Sequence, residues 1–187
     1  GLWVVRGLWS QQQPKAAARC FWEALRQNPN HQVACYQLAI ALTRVGQEEL
    51  AEQIKDRARR LQELELLLSR LNDDKNNLTL LTEGARLTEQ LGRFWESYGW
   101  HSIILVRQSN AAESRVALTR LRPLVQAESR QVSLKFDPTQ VIDLASYPLP
   151  DMDQVVETSS GPASGLDSTA VSFKDVAADA GIRFRYF

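Results

Sequence analysis

The chain has 187 residues, 44% of them hydrophobic and 24% charged, with 22 basic groups set against 22 acidic ones. That mixture can bury a core, which excludes global disorder, and the length holds one ordinary domain plus a fragment. The charge is unevenly spread: residues 1–31 carry four basic groups and one acid, 32–123 thirteen and twelve, and 124–187 five and nine. None of these blocks is the clustered basic face that nucleic acid requires, and no apolar run approaches the ~20 residues of a membrane span.

At the start, GLWVVRGLW is too short for the apolar core of a signal peptide and carries Arg6 in its middle. The chain begins at Gly1 and stops at Phe187 on an alternating aromatic run, so both ends read as cuts through a longer protein. A first helix is expected over residues 2–12. Pro14 suits the first position of a second helix, and Pro29 stops it. A third helix over 32–45 ends at Gly46, because glycine turns left-handed without strain and lets the next helix fold back.

The segments AAARCFWEALRQNP and ELAEQIKDRARRLQ repeat at a fixed distance. The step from Ala17 to Ala51 equals the step from Ala24 to Ala58. The small residues allow close approach of antiparallel helices, and the large ones, Phe21, Leu38 and Leu42, fill the gaps between them. Pattern and spacing resemble the tetratricopeptide repeat, whose period is about 34 residues. The second copy matches at Leu38, Ala39, Leu42, Gly46, Ala51 and Ala58, and departs at Lys55, where an aromatic is usual, and at Glu63, where proline is usual. The first copy fits only with a shortened turn near Gln12.

Without that proline, residues 48–71 read as one continuous helix, bearing an apolar stripe of Leu50, Ile54, Leu61, Leu64, Leu68 and Leu71. Core packing within the chain and a dimerising two-stranded coiled coil both fit the stripe, although Arg57 sits on its seam. After NDDKNN, a fifth helix over 77–91 ends at Gly92, which follows Gly46 by the repeat period plus an inserted dozen. FWESYGW, residues 94–100, opens its partner, with Ser97 and His101 where the pattern expects alanine and an aromatic. Helix packing and an aromatic ligand groove are the two readings of that cluster. Trp3 and Trp9 are expected to be exposed, and His31 to be solvated in a turn. A last helix runs to about Gln126.

Beyond it, VSLKF at 132–136 alternates like a strand, Pro138, Pro148 and Pro150 punctuate an extended stretch, and 157–169 has the composition of a flexible linker. Phe173 to Tyr186, F-x-D-V-A-x-x-A-G-I-x-F-x-Y, resembles the start of the FG-GAP/VCBS-type propeller of cartilage acidic protein-like (ASPIC/UnbV) proteins. LGRFWESYGW and DLASYPLPD are similar to the helices and junction ahead of such propellers. The resemblance implies a non-enzymatic, calcium-binding propeller downstream, in an exported protein that is periplasmic or secreted. No metal ligand of that propeller maps onto this chain.

The fold expected is therefore all-α: a tetratricopeptide-like solenoid of helical hairpins over 1–128, an extended segment and linker over 129–170, and the first strand of a truncated β-propeller over 171–187. Cys20, His31 and Cys35 lack the paired spacing and fourth donor of a zinc site, leaving packed thiols or a disulfide as alternatives. No catalytic or metal motif is found, so no cofactor is expected in this fragment and its expected work is protein or peptide binding. The rivals are an accessory region of a larger enzyme and a dimerising coiled coil. In a solenoid the first helix of each pair lines the concave face, which makes Gln32, Tyr36, Thr43, Arg44, Arg86 and Glu89 the candidate binding surface.

Overall fold

A computed structural model describes residues 1–127 and 130–151, all within one compact unit. The expected linker at 157–169 and the expected propeller start at 173–186 lie outside the described residues. Among the described residues seven helices follow one another: α1 (Leu2–Trp9), α2 (Pro14–Gln27), α3 (Gln32–Arg44), α4 (Glu48–Asp73), α5 (Leu78–Gln90), α6 (Phe94–Arg107) and α7 (Ala112–Ala127). A 3-10 turn at Leu134–Phe136 and a single turn α8 (Pro138–Val141) come after them. Each of α1 to α7 packs chiefly on its neighbour in sequence.

The same hydrogen bonds recur at the joints. α3 and α5 both close with a left-handed glycine, Gly46 at φ 78° and Gly92 at φ 74°. Gly46 N donates to Thr43 O and Gln47 N to Leu42 O; Gly92 N donates to Glu89 O and Arg93 N to Thr88 O. These paired bonds satisfy carbonyls that a helix end otherwise leaves open. The turns after α2, α4 and α6 also match: Asn28, Asp74 and Gln108 each donate to the carbonyl four residues back, and each accepts from the amide three residues on. From Asp74 to Gln108 is one repeat period, whereas from Asn28 to Asp74 is a dozen more, so the insertion is confined to one hairpin.

The small residues do what their spacing requires. Ala17, Ala24, Ala51 and Ala58 are all buried in one core with Phe21, Leu38 and Leu42. In the third hairpin the matching residues are polar yet satisfied: buried Ser97 donates its hydroxyl to Ala85 O, and buried Thr88 donates to Gly84 O and Ala85 O. Gly84 stands where Leu38 stands in the second hairpin, and the Trp100 ring fills the space it leaves.

α4 has 26 residues and is about 39 Å long. Of its stripe, Ile54, Leu61 and Leu64 are buried and Leu50 and Leu71 half-buried, but Leu68 is exposed; Leu67, outside the stripe, is buried instead, and Leu66 is exposed. Ion pairs Lys55–Glu52, Arg59–Glu63 and Arg60–Asp56 support its outer face at helical spacing.

Two expectations are corrected. VSLKF forms no strand; Leu134–Phe136 is a 3-10 turn, and among the described residues there is no strand for it to pair with. His31 is half-buried rather than freely solvated, because its Nδ1 caps α3 by accepting from Ala34 N at 3.2 Å. Asn77 caps α5 in the same way, accepting from Leu80 N. Cys20 and Cys35 are buried free thiols, so the packed reading holds over the disulfide.

Residues 130–151 form a strap that runs back across the helices. Ser133 N donates to Gly92 O, and the Phe136 ring meets Phe94 edge-on at 5.6 Å. Further along, Ile142 and Leu144 are buried, their carbonyls accepting from Trp22 Nε1 at 2.6 Å and Arg19 Nη1 at 2.9 Å. Finally Arg6 Nη2 donates to Pro150 O. Val132, Ile142 and Leu144 thereby cover apolar surface that the helices alone leave open.

Candidate functional site

The six candidate residues divide by position. On α3, Tyr36 and Thr43 are exposed and Gln32 is half-buried; the Thr43 hydroxyl donates back to Ala39 O within its own helix. Arg44 is exposed and donates to Gln11 O, joining α3 to the α1–α2 turn beside a Gln11–Gln37 side-chain bond. It also lines a shallow depression with Gln13, Pro14, Lys15, Val45 and Pro148. Gln32, Tyr36 and Thr43 line neither this depression nor the larger cleft.

Arg86 and Glu89 come together in that larger cleft, which encloses ≈ 670 Å³. Its walls are α5, α7 and the strap: Arg86, Glu89 and Gln90, then Arg120 and Leu124, then Ser133, Lys135 and Phe136, with Phe94 at the end. α7 places Arg120 here because the turn at Gln108–Ala111 restarts the hairpin register, setting Arg120 one repeat period after Arg86 on an equivalent helix.

Arg120 clasps Glu89 with both terminal nitrogens, Nη1 to Oε1 at 2.5 Å and Nη2 to Oε2 at 2.9 Å. Arg86 is paired with Glu83 on its own helix, Nε to Oε2 at 2.9 Å plus a second bond from Nη2. That hydrogen bonding holds the Glu83 carboxyl below the usual carboxylate range and raises the Arg86 guanidinium. The bond to Glu89 raises Arg120 likewise. These pairs are substantially exposed, so each contributes little stability and an incoming anion can share them. Lys135, exposed on the strap, adds a third cation. The lining thus carries three cations against the single carboxylate of Glu89, over an apolar floor of Phe94, Leu124 and Phe136.

Arg120, Lys135 and Phe136 lie outside the set that the sequence picks out. α7 follows α6 as α5 follows α4, so the concave-face argument extended to it points to Arg120. Nothing local in the sequence marks Lys135 and Phe136, since they reach the cleft only through the path of the strap.

Below the cleft lies a buried cation. Arg57, 9% exposed, donates to Pro29 O at 3.1 Å, Leu91 O at 3.2 Å, Phe136 O at 3.0 Å and Asn30 Oδ1 at 3.0 Å. All four acceptors are neutral, and desolvation pushes its guanidinium below the usual value. The residue that is out of place on a coiled-coil seam ties two inter-helix turns and the strap to α4. A cavity of ≈ 140 Å³ lies beside it, lined by Gln53, Asp56, Arg60, Phe136 and Ile142 among others.

The aromatic segment at 94–100 is mostly consumed in packing: Phe94 on Phe136, Trp100 on Gly84, and only Trp95 largely exposed. His101 Nδ1 lies 3.1 Å from Ser114 Oγ, and burial holds its imidazole below the usual value. Trp9 is exposed as expected, whereas Trp3 packs partly against the core under Arg6. Among the described residues no cluster of three or more His, Cys, Asp or Glu could hold a metal ion, and no helix is long and apolar enough to cross a membrane. No family model, curated protein or solved structure matches this chain.

Proposed function

We propose that this chain is a non-catalytic, tetratricopeptide-type scaffold that holds an extended, acidic peptide segment of a protein partner. The repeat reading is supported by the recurring hydrogen-bonded joints and by the four buried alanines that stand in register at the repeat period. The observation that carries the binding reading is the cleft in which Arg86 and Arg120, one period apart on α5 and α7, stand over Phe94 and Phe136. Guanidinium groups bind carboxylates through paired hydrogen bonds, and the apolar floor suits the side chain that alternates with them in an extended peptide. Two arginines, each ion-paired with a glutamate, and a lysine form a set that recognises charge; it supplies no activated nucleophile. The propeller resemblance adds that the scaffold precedes a calcium-binding domain in an exported protein and orients it or its partner.

A fluorescein-labelled octapeptide of alternating glutamate and leucine tests the reading by anisotropy, against its lysine–leucine counterpart. The acidic peptide should bind and the basic one should not. Arg120→Ala should weaken binding by roughly tenfold, the loss of one charge-assisted contact, with an unchanged circular dichroism spectrum. Equal binding of the two peptides, or none, overturns the proposal.

A further inference from the structure

We propose that the strap is the movable wall of this cleft, so that strap docking and ligand occupancy are coupled through Phe136, with Arg57 as the positioning residue. The inference rests on the peptide-binding reading above. One side of the cleft, carrying Arg86, Glu89 and Arg120, stands on α5 and α7, which are held by helix packing. The other side, carrying Lys135 and Phe136, stands on a three-residue 3-10 turn.

Its described contacts with the helices include a backbone bond, a buried cation and an aromatic ring. Ser133 N donates to Gly92 O at 2.9 Å, Phe136 O accepts from Arg57, and the Phe136 ring touches Phe94. Only one of the four acceptors of Arg57 belongs to the strap; the other three, Pro29 O, Leu91 O and Asn30 Oδ1, lie on the helix joints. If this turn lifts while Ile142 and Leu144 stay seated, Arg57 therefore keeps three partners on the helix joints.

Phe136 is half-buried and has open space on both sides, the cleft of ≈ 670 Å³ and the cavity of ≈ 140 Å³ beside Arg57. It acts as a partition between two spaces rather than as a core side chain. A ligand that seats an apolar group on Phe136 and a carboxylate near Lys135 buries more of the docked strap and stabilises it. By linkage, anything that lifts the strap removes half the site and weakens the ligand by the same factor.

Two glycines separate this coupling from general destabilisation. Gly92 and Gly46 have nearly equal φ, so alanine strains both turns alike. A Cβ on Gly92 would collide with Phe136 Cβ, whereas among the described residues a Cβ on Gly46 meets nothing within 4 Å. Gly92→Ala therefore pushes the strap away from its seat, and Gly46→Ala is the matched control.

The experiment uses the full chain and the alternating glutamate–leucine peptide, with anisotropy and hydrogen exchange of residues 132–144 as readouts. Saturating peptide should slow exchange in the strap several-fold. Gly92→Ala should weaken the peptide by roughly tenfold and speed strap exchange, while Gly46→Ala changes neither. Arg57→Met should behave as Gly92→Ala does, with Arg57→Lys restoring part of the affinity through its remaining donors. If the peptide binds the unsubstituted chain, yet strap exchange is unchanged and Gly92→Ala binds like Gly46→Ala, the coupling is overturned and the peptide reading stands. If the unsubstituted chain binds no peptide, both are overturned.

Discussion

Gly46 and Gly92 end equivalent helices with φ near 78° and 74°, yet among the described residues only Gly92 sits under another part of the chain. Gly46→Ala should cost about 1–2 kcal/mol, the strain of a left-handed alanine. Gly92→Ala should cost clearly more, because Phe136 must also move. Thermal melts of the two variants check this, and equal midpoints would mean the strap does not rest on Gly92. The buried cysteines give a second test. Burial pushes both thiols from 9.0 up to about 11. An acid whose folded value is raised favours the folded state fully below its unfolded value and loses that contribution as pH rises through the folded one. Stability should hold to about pH 9 and decline between pH 9 and 11, and Cys35→Ala should flatten that decline in urea titrations at each pH. At this scale Arg86 and Glu89 are legible in the sequence as polar positions opposite a packing face. The partner of Glu89 is not, since Arg120 meets it across 31 residues of chain.

Helices are the most legible elements, because their signals are short-ranged. Pro14 opens α2, Gly46 and Gly92 close α3 and α5, and the lack of any breaker between 48 and 71 leaves α4 in one piece. The small residues then decide how those helices meet. Ala51 is 3% exposed, so Ala51→Leu should destabilise by about 1–3 kcal/mol through overpacking, read from a urea denaturation curve. An unchanged curve would place Ala51 off the contact between helices. The element that departs from its own pattern is VSLKF, whose alternation satisfies the rule for a strand. Alternation only says that one side is buried. Here Val132 faces the core while the backbone bonds to Gly92 O instead of to a neighbouring strand.

The whole unit depends on the strap more than its composition suggests. Val132, Ile142 and Leu144 are each at most 4% exposed, and burying such side chains is worth about 1.5–3 kcal/mol apiece before ordering costs. A fragment of residues 1–151 should therefore melt cooperatively, and one of 1–127 should melt several degrees lower and bind a hydrophobic dye. Matching midpoints for the two fragments would reduce the strap to a passive tail. Local chemistry in the sequence determined the helices, their joints and the register of the buried alanines, since capping, turning and amphipathic spacing act within a few residues. Only the tertiary structure decided that Arg57 would gather acceptors from 27 to 79 residues away, and that residues 130–151 would return across the helices to wall a cleft. Such contacts close when distant segments are brought together by burial, and no local pattern encodes which segments those are.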